Sequence, residues 1–319
     1  MDHVLQRLGE IGIIPVIKLD AAQAAPALGR ALAGGGIPAA EVTFRSDAAE
    51  AGIAALAREV PEVLVGAGTV LTVDQAERAL GAGARFIVSP CYVDEVVAFC
   101  QRRGVPVLPA VTSPDGVAKG LAQGLEVLKF FPAGVAGGVP ALEAFAGPFG
   151  SMRFVPTGGV SAANLGEYAR RPNVLAVGGS WMVKPELVAA GDWAGVTRLC
   201  REAVAALHGF GFAHLGVNSP DEGAGRALAG DFERLFGLSG REGTSSIFAG
   251  DCLEITKRPF PGVHGHLAIR CNQVERAVAH FRAAGIAVRP DTAKTARGRL
   301  QAIYLDLELG GFAVHLLQA

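Results

Sequence analysis

The chain has 319 residues, half of them hydrophobic, and 29 Lys and Arg stand against 30 Asp and Glu for a formal net charge of -1. That length and apolar content suffice for one large core or two smaller ones, and they exclude a disordered chain. Near-neutral charge without a long basic run argues against nucleic acid or an anionic membrane surface as partner, so a small-molecule substrate is expected.

No apolar stretch approaches bilayer length, and the first seven residues lack the h-region of a signal peptide, so a cytoplasmic location is expected. The five cysteines are odd in number and show no C-x-x-C spacing, which suggests reduced thiols rather than a disulfide framework or a thiolate zinc site.

Short apolar runs alternate with Ala/Leu/Arg-rich helical stretches over the first two hundred residues. Eight strand-like runs are predicted at 13–19, 40–45, 64–70, 85–90, 105–110, 126–131, 153–157 and 174–177. Their starts recur every twenty to thirty residues, with helical segments such as 74–82 and 93–103 between them. This is the pattern of an α/β chain closing as a (β/α)8 TIM barrel, with a doubly wound open sheet as the other topology it allows.

The character changes after Gly209, where strands lengthen and helices become fewer. The predicted order is strand 212–218, helix 223–236, strands 245–249 and 251–256, then strand 265–271, helix 274–284, strands 300–307 and 311–317. That is a βαβββ-like unit written twice, with the third strand of each unit less clear than the rest. The domains are therefore expected to be a barrel over 1–208 and a smaller α+β domain of paired βαβββ modules over 209–319.

Lys129 stands in the apolar run Leu125-Glu126-Val127-Leu128-Lys129-Phe130-Phe131-Pro132, in a chain with six lysines and twenty-three arginines. Burying an ammonium disfavours its charged form and leaves a nucleophilic amine, the requirement of Schiff-base chemistry. Taken alone, the residue reads equally as a core stem with a snorkelling head. Its company favours chemistry. Strand alternation puts Glu41, Thr43 and Arg45 on one face, toward the carboxyl end of their strand, where barrel enzymes keep their sites. Gly66-Ala67-Gly68-Thr69 ends the third strand with a hydroxyl beside glycines, and the seventh and eighth strands end in Thr157-Gly158-Gly159 and Gly178-Gly179-Ser180. Loops at those two ordinals commonly cradle phosphate on backbone N–H groups, and Pro156 and Ser161, flanking the first of them, fit a turn that leads into a capped helix. An amine, a carboxylate, a guanidinium and a phosphate cradle together describe a class I aldolase acting on a phosphorylated keto acid.

The segments Glu41-Val42-Thr43-Phe44-Arg45, Val65-Gly66-Ala67-Gly68-Thr69-Val70, Lys129-Phe130-Phe131-Pro132-Ala133, Pro156-Thr157-Gly158-Gly159-Val160 and Gly178-Gly179-Ser180-Trp181 resemble, in order, those of the 2-keto-3-deoxy-6-phosphogluconate (KDPG) and 4-hydroxy-2-oxoglutarate aldolases. The resemblance implies cleavage of KDPG to pyruvate and glyceraldehyde 3-phosphate, and of 4-hydroxy-2-oxoglutarate to pyruvate and glyoxylate. It makes Lys129 the imine-forming residue and Glu41 the proton shuttle. Arg45 and Thr69 would hold the carboxylate end, Phe131 would pack beside the imine, and Thr157, Gly158, Gly159, Gly179 and Ser180 would hold the phosphate. It implies no cofactor for the aldolase and a homo-oligomer, trimeric through the barrel. Cys91, Ala110 and Gly116 depart from the family pattern on substrate-facing loops, which leaves open another 2-keto-3-deoxy sugar acid such as the phosphogalactonate epimer.

In the second domain, His214, Glu254, His266 and His315 fall on strands at corresponding places in the two units, an N/O set suited to zinc, nickel, iron or manganese. About a hundred residues here resemble the vicinal-oxygen-chelate superfamily of glyoxalase I, with His315 where glyoxalase I has glutamate. A divalent metal site is expected; the resemblance implies that ligands can come from two chains and that the site can require association, and a metal-free binding or oligomerisation module is the alternative. His264 and His280 are not expected to join the set.

Overall fold

The computed structural model describes residues 2–319. The chain divides into two compact units between Leu207 and His208.

Eight short parallel strands build the first unit: β1 (Ile13–Ile17), β2 (Ala39–Thr43), β3 (Leu64–Gly68), β4 (Ile87–Ser89), β5 (Val107–Val111), β6 (Val127–Phe130), β7 (Arg153–Pro156) and β8 (Val177–Gly179). They run β7-β6-β5-β4-β3-β2-β1-β8, and the parallel bridges Phe154–Val174 and Thr157–Gly178 join the two ends of the series. The sheet is thus a nearly closed barrel, as the periodicity predicts. The eighth strand begins three residues later than expected and ends two later, since Gly178 and Gly179 carry no apolar signal yet pair with Ile14 and Pro15. Val174, predicted to start that strand, contributes only its isolated bridge to Phe154.

Helices between the strands bury one face each against the barrel. The helix Asp94–Arg102 buries Val96, Val97, Phe99 and Cys100, spaced at the helical period. Hydroxyl caps start two others: Thr72 Oγ1 accepts from the Gln75 N–H at 3.2 Å, and Ser113 Oγ from the Gly116 N–H at 3.3 Å. The helices after β7 and β8 are short, Leu165–Ala169 and Pro185–Ala190. Ser161 caps neither of them. Its own N–H donates to Asn164 Oδ1 at 2.9 Å, so the expected turn is present, and the helix it leads into, Leu165–Ala169, has no side-chain cap.

Register decides which side chains meet inside the barrel, since paired residues on parallel strands share a face. Glu41 pairs with Gly66, and Lys129 pairs with Ala110 on one side and Val155 on the other. Phe130, next along β6, belongs to the opposite face, where it meets Phe145 edge-on at 6.0 Å and Phe154 at 6.5 Å. These aromatic contacts fix the strand that carries Lys129.

The second unit is a single eight-stranded sheet with two helices. Its first module is β9 (Gly211–Val217), helix Glu222–Phe236, β10 (Gly240–Glu242), β11 (Ser246–Ala249) and β12 (Leu253–Thr256). The second repeats that order: β13 (Gly265–Cys271), helix Val274–Ala283, β14 (Val288–Ala296), β15 (Arg299–Leu309) and β16 (Phe312–Gln318). The sheet runs β10-β11-β12-β9-β13-β16-β15-β14, with β9 and β13 antiparallel at its centre. Each module therefore fills one half of the sheet in the same outward order. The two strands hardest to see in the sequence, β10 and β14, are its edges. Both are largely exposed, and β14 reads VRPDTAKTA, so neither carries the alternation that marks a half-buried strand.

Candidate active site

Lys129 on β6 and Glu41 on β2 are 88 residues apart in sequence and meet in the barrel, Nζ to Oε1 at 3.1 Å. Lys129 is 5% exposed and Glu41 2%. An ammonium or a carboxylate alone at such depth would cost several kcal/mol, roughly, and each answers the other. The Lys129 Nζ also lies 5.4 Å from the centroid of the Phe131 ring, within cation–π range. Room for the carboxylate comes from β3: a Cβ on Gly68 would stand 2.2 Å from Glu41 Oε1.

Thr69 follows Gly68 with φ of 56°, a left-handed conformation unusual for a β-branched residue. It is half-buried at the end of β3, beside the end of β2. Arg45 lies elsewhere than expected: β2 ends at Thr43, and Arg45 is exposed at the rim rather than part of the buried face. At the rim the guanidinium keeps its hydration, and its Nε donates to Thr43 Oγ1 at 3.0 Å.

The two glycine loops come together. Thr157 bridges Gly178, so the end of β7 meets β8, and Gly158 and Gly159 both take positive φ, 84° and 83°. Thr157 is buried, Gly158 is half-buried, Gly159 and Ser180 are exposed, and Gly179 lies under the Trp181 ring. The Ala133 and Gly134 N–H groups bond the carbonyls of Thr157 and Gly158, which joins this corner to the segment after Lys129.

In the second unit, His214 on β9, His266 on β13 and His315 on β16 are buried, and their ligand atoms lie within 4.8 Å of one another. His214 Nε2 is 2.8 Å from Glu254 Oε2, His266 Nε2 is 3.3 Å from it, and the two Nε2 atoms are 3.3 Å apart. Glu254 Oε1 accepts from Ser246 Oγ at 2.7 Å. Burial would raise the Glu254 pKa, but hydrogen bonds from His214, His266 and Ser246 outweigh it and hold the carboxyl well below its ordinary range. Burial, then His266 and His214, push the His315 imidazole down to about 3, so it stays neutral at ordinary pH. Its Nε2 is buried without a hydrogen-bond partner.

Sequence reasoning missed Ser246, the donor behind Glu254. It also missed Gly216, where a Cβ would fall 2.0 Å from the His266 ring. Gly216 is two residues from His214, hence on the same strand face, and a glycine there was the available signal. His264 packs on Phe312 and His280 on His208; both stand outside the cluster. A pocket opens beside it, lined also by Lys294, Tyr304 and Phe260.

Residues 4–199 match the family model described as KDPG and KHG aldolase. The 2-dehydro-3-deoxy-phosphogluconate aldolase of Treponema pallidum is 46% identical over 204 residues, covering 64% of this chain and 97% of that protein. The KHG/KDPG aldolase of Escherichia coli is 42% identical over 192 residues, covering 60% and 90%. Among solved structures, a KDPG aldolase of Legionella pneumophila with pyruvate captured as a covalent carbinolamine has a TM-score of 0.61 and 38% identity, covering 62% and 97%. No helix among the described residues is long and apolar enough to cross a membrane. On the barrel's sequence, fold and relatives together, the chain belongs to the KDPG and KHG aldolase family of carbon–carbon lyases, class I aldolases that work through a lysine imine.

Proposed function

We propose that the barrel cleaves KDPG to pyruvate and glyceraldehyde 3-phosphate, with 4-hydroxy-2-oxoglutarate as a second substrate, through Lys129 and Glu41. The observation that carries this is the buried Lys129–Glu41 pair at 3.1 Å. Glu41 takes a proton from the Lys129 ammonium, the freed Nζ adds to the C2 ketone, Glu41 relays protons to the carbinolamine oxygen, and water leaves to give a protonated imine. Glu41 then takes the C4 hydroxyl proton as the C3–C4 bond breaks, and its electrons pass into the imine as an enamine. Glyceraldehyde 3-phosphate departs, C3 is reprotonated, and water releases pyruvate and the free amine.

Arg45 and Thr69 hold the carboxylate end, and Phe131 packs beside the imine. The phosphate is held by Thr157, Gly158, Gly159, Gly179 and Ser180. With only short helices behind these loops, the phosphate is bound by the loops' own N–H and hydroxyl groups, not by a helix terminus. Cys91, Ala110 and Gly116 set the preference between KDPG and its C4 epimer. The barrels associate as a trimer. Borohydride reduction with pyruvate, followed by peptide mass analysis, tests this reading: the adduct is expected on Lys129, and an adduct elsewhere or none refutes it.

We further propose that His214, Glu254, His266 and His315 hold a divalent metal. Two Nε2 atoms and a carboxylate oxygen converge while His315 Nε2 has no partner, and a cation that displaces the histidine protons facing Glu254 satisfies all four ligand atoms together. A metal held there would act as a Lewis acid toward an oxygen ligand. Elemental analysis of the full chain decides against a metal-free binding module: about one equivalent of metal, lost in His214→Ala, is expected, and no metal in either protein refutes the site.

A further inference from the structure

Thr43 stands between the buried acid and the rim arginine, and its hydroxyl is engaged on both sides. It is 1% exposed, and its Oγ1 donates to the Ile17 carbonyl at 2.8 Å across to β1. A hydroxyl has one proton, so toward Arg45 the same oxygen acts only as acceptor. It takes the Arg45 Nε–H at 3.0 Å. The backbone makes the same turn, with the Arg45 N–H donating to the Thr43 carbonyl at 2.8 Å and the Phe44 N–H to the Gly68 carbonyl at 2.8 Å.

A guanidinium has two edges that can grip a carboxylate, one made by Nε with an Nη and one made by the two Nη groups. Thr43 occupies Nε. What remains is the Nη–Nη edge, at the end of an exposed side chain. We infer that Thr43 is a positioning residue for the aldolase reaction: it presents the Nη–Nη edge of Arg45 to the substrate carboxylate and anchors that orientation to the barrel through the Ile17 carbonyl. The inference rests on Arg45 as the carboxylate anchor. It adds which edge binds and which buried group holds it there. Thr43 is 1% exposed with its hydroxyl engaged on both sides, so it acts through Arg45. Its effect falls on binding of the carboxylate end and leaves proton transfer by Glu41 as it was.

Steady-state pyruvate formation by the full chain tests this with Thr43→Val, Thr43→Ser, Arg45→Lys and the double variant Thr43→Val/Arg45→Lys. Thr43→Val keeps the volume and removes the acceptor. It is expected to raise KM about tenfold with kcat changed less than about threefold, and Thr43→Ser restores both. Lysine has no Nε, so in the Arg45→Lys background the same Val substitution is expected to change KM less than about twofold. An equal rise in KM in both backgrounds, or a fall in kcat matching the rise in KM, overturns the inference and leaves Thr43 a brace between β1 and β2. If Arg45→Lys itself leaves KM unchanged, the carboxylate anchor fails first and the role of Thr43 falls with it. Thr43→Cys, which keeps the volume and weakens the acceptor, carries the same comparison if Thr43→Val does not fold.

Discussion

The barrel and the C-terminal sheet each bury a cluster of polar groups, and the two clusters differ in how their charge closes. Lys129 and Glu41 bring one positive and one negative group together at 3.1 Å, and nothing from outside is needed to complete the pair. In the C-terminal sheet one carboxylate lies within hydrogen-bond distance of two histidine Nε2 atoms while the Nε2 of a third histidine is buried with no partner. A self-neutralising pair suits a reaction in which the protein supplies its own electrophile, the imine. A cluster of nitrogen and oxygen ligand atoms with no cation of its own suits an imported one. Substitutions in the two places are therefore expected to separate cleanly.

Lys129→Ala has the largest expected effect: cleavage falls by at least about a thousandfold, no pyruvate adduct forms under borohydride, and metal content is unchanged. A coupled pyruvate assay and elemental analysis on the same sample read both, and loss of metal in this variant would break the separation. His315→Ala is the reciprocal experiment. Metal affinity is expected to drop by more than about a hundredfold while aldolase kcat/KM stays within about twofold. Competition with a chromophoric chelator measures the first, and a matching loss of aldolase activity would show the two sites coupled. Gly68→Ala sharpens the barrel half. Its Cβ would press on Glu41 Oε1 from 2.2 Å, so the carboxylate must move while Lys129 remains. Pyruvate adduct formation should persist at a slower rate, with kcat down by about a hundredfold; unchanged kcat would remove Glu41 from the proton path.

The fold was legible in the sequence wherever burial leaves a period, and less so where glycine or exposure erases it. The strands carrying Glu41 and Lys129 have side chains that alternate between barrel and helical layer, so both residues could be placed from the chain alone. β8 was displaced because two of its three residues are glycines, and β14 went unseen because an exposed edge selects polar residues. The same logic governs the sites. The acid, the amine and the three histidines are costly to bury and stand out against apolar neighbours. Simple alternation places Arg45 on the buried face and cannot show that the strand ends two residues earlier. The tie from Thr43 to Ile17 spans 26 residues between strands, and no local pattern encodes it.

Acid separates the two units for a reason written in their histidines. Six of the seven lie at or after residue 208, and the remaining one, His3, is exposed. Burial, then His280 and Arg276, push His208 down to about 3, and burial with its neighbouring histidines does the same to His315. Both folded values lie below the ordinary 6.5, so the unfolded chain takes up these protons first. The stability these groups contribute is complete above pH 6.5 and is lost as pH falls toward 3, at a limiting slope of about 1.4 kcal/mol per pH unit for each. On acidifying the metal-free protein from pH 7.5 to 5, the C-terminal unit is therefore expected to lose structure before the barrel. Both tryptophans, Trp181 and Trp193, belong to the barrel, so indole fluorescence follows it alone while far-ultraviolet circular dichroism follows both units. The dichroism change should lead the fluorescence change, and His208→Leu should narrow the gap. Coincident transitions in the unsubstituted chain would mean that the buried histidines do not set the acid limit of the C-terminal unit.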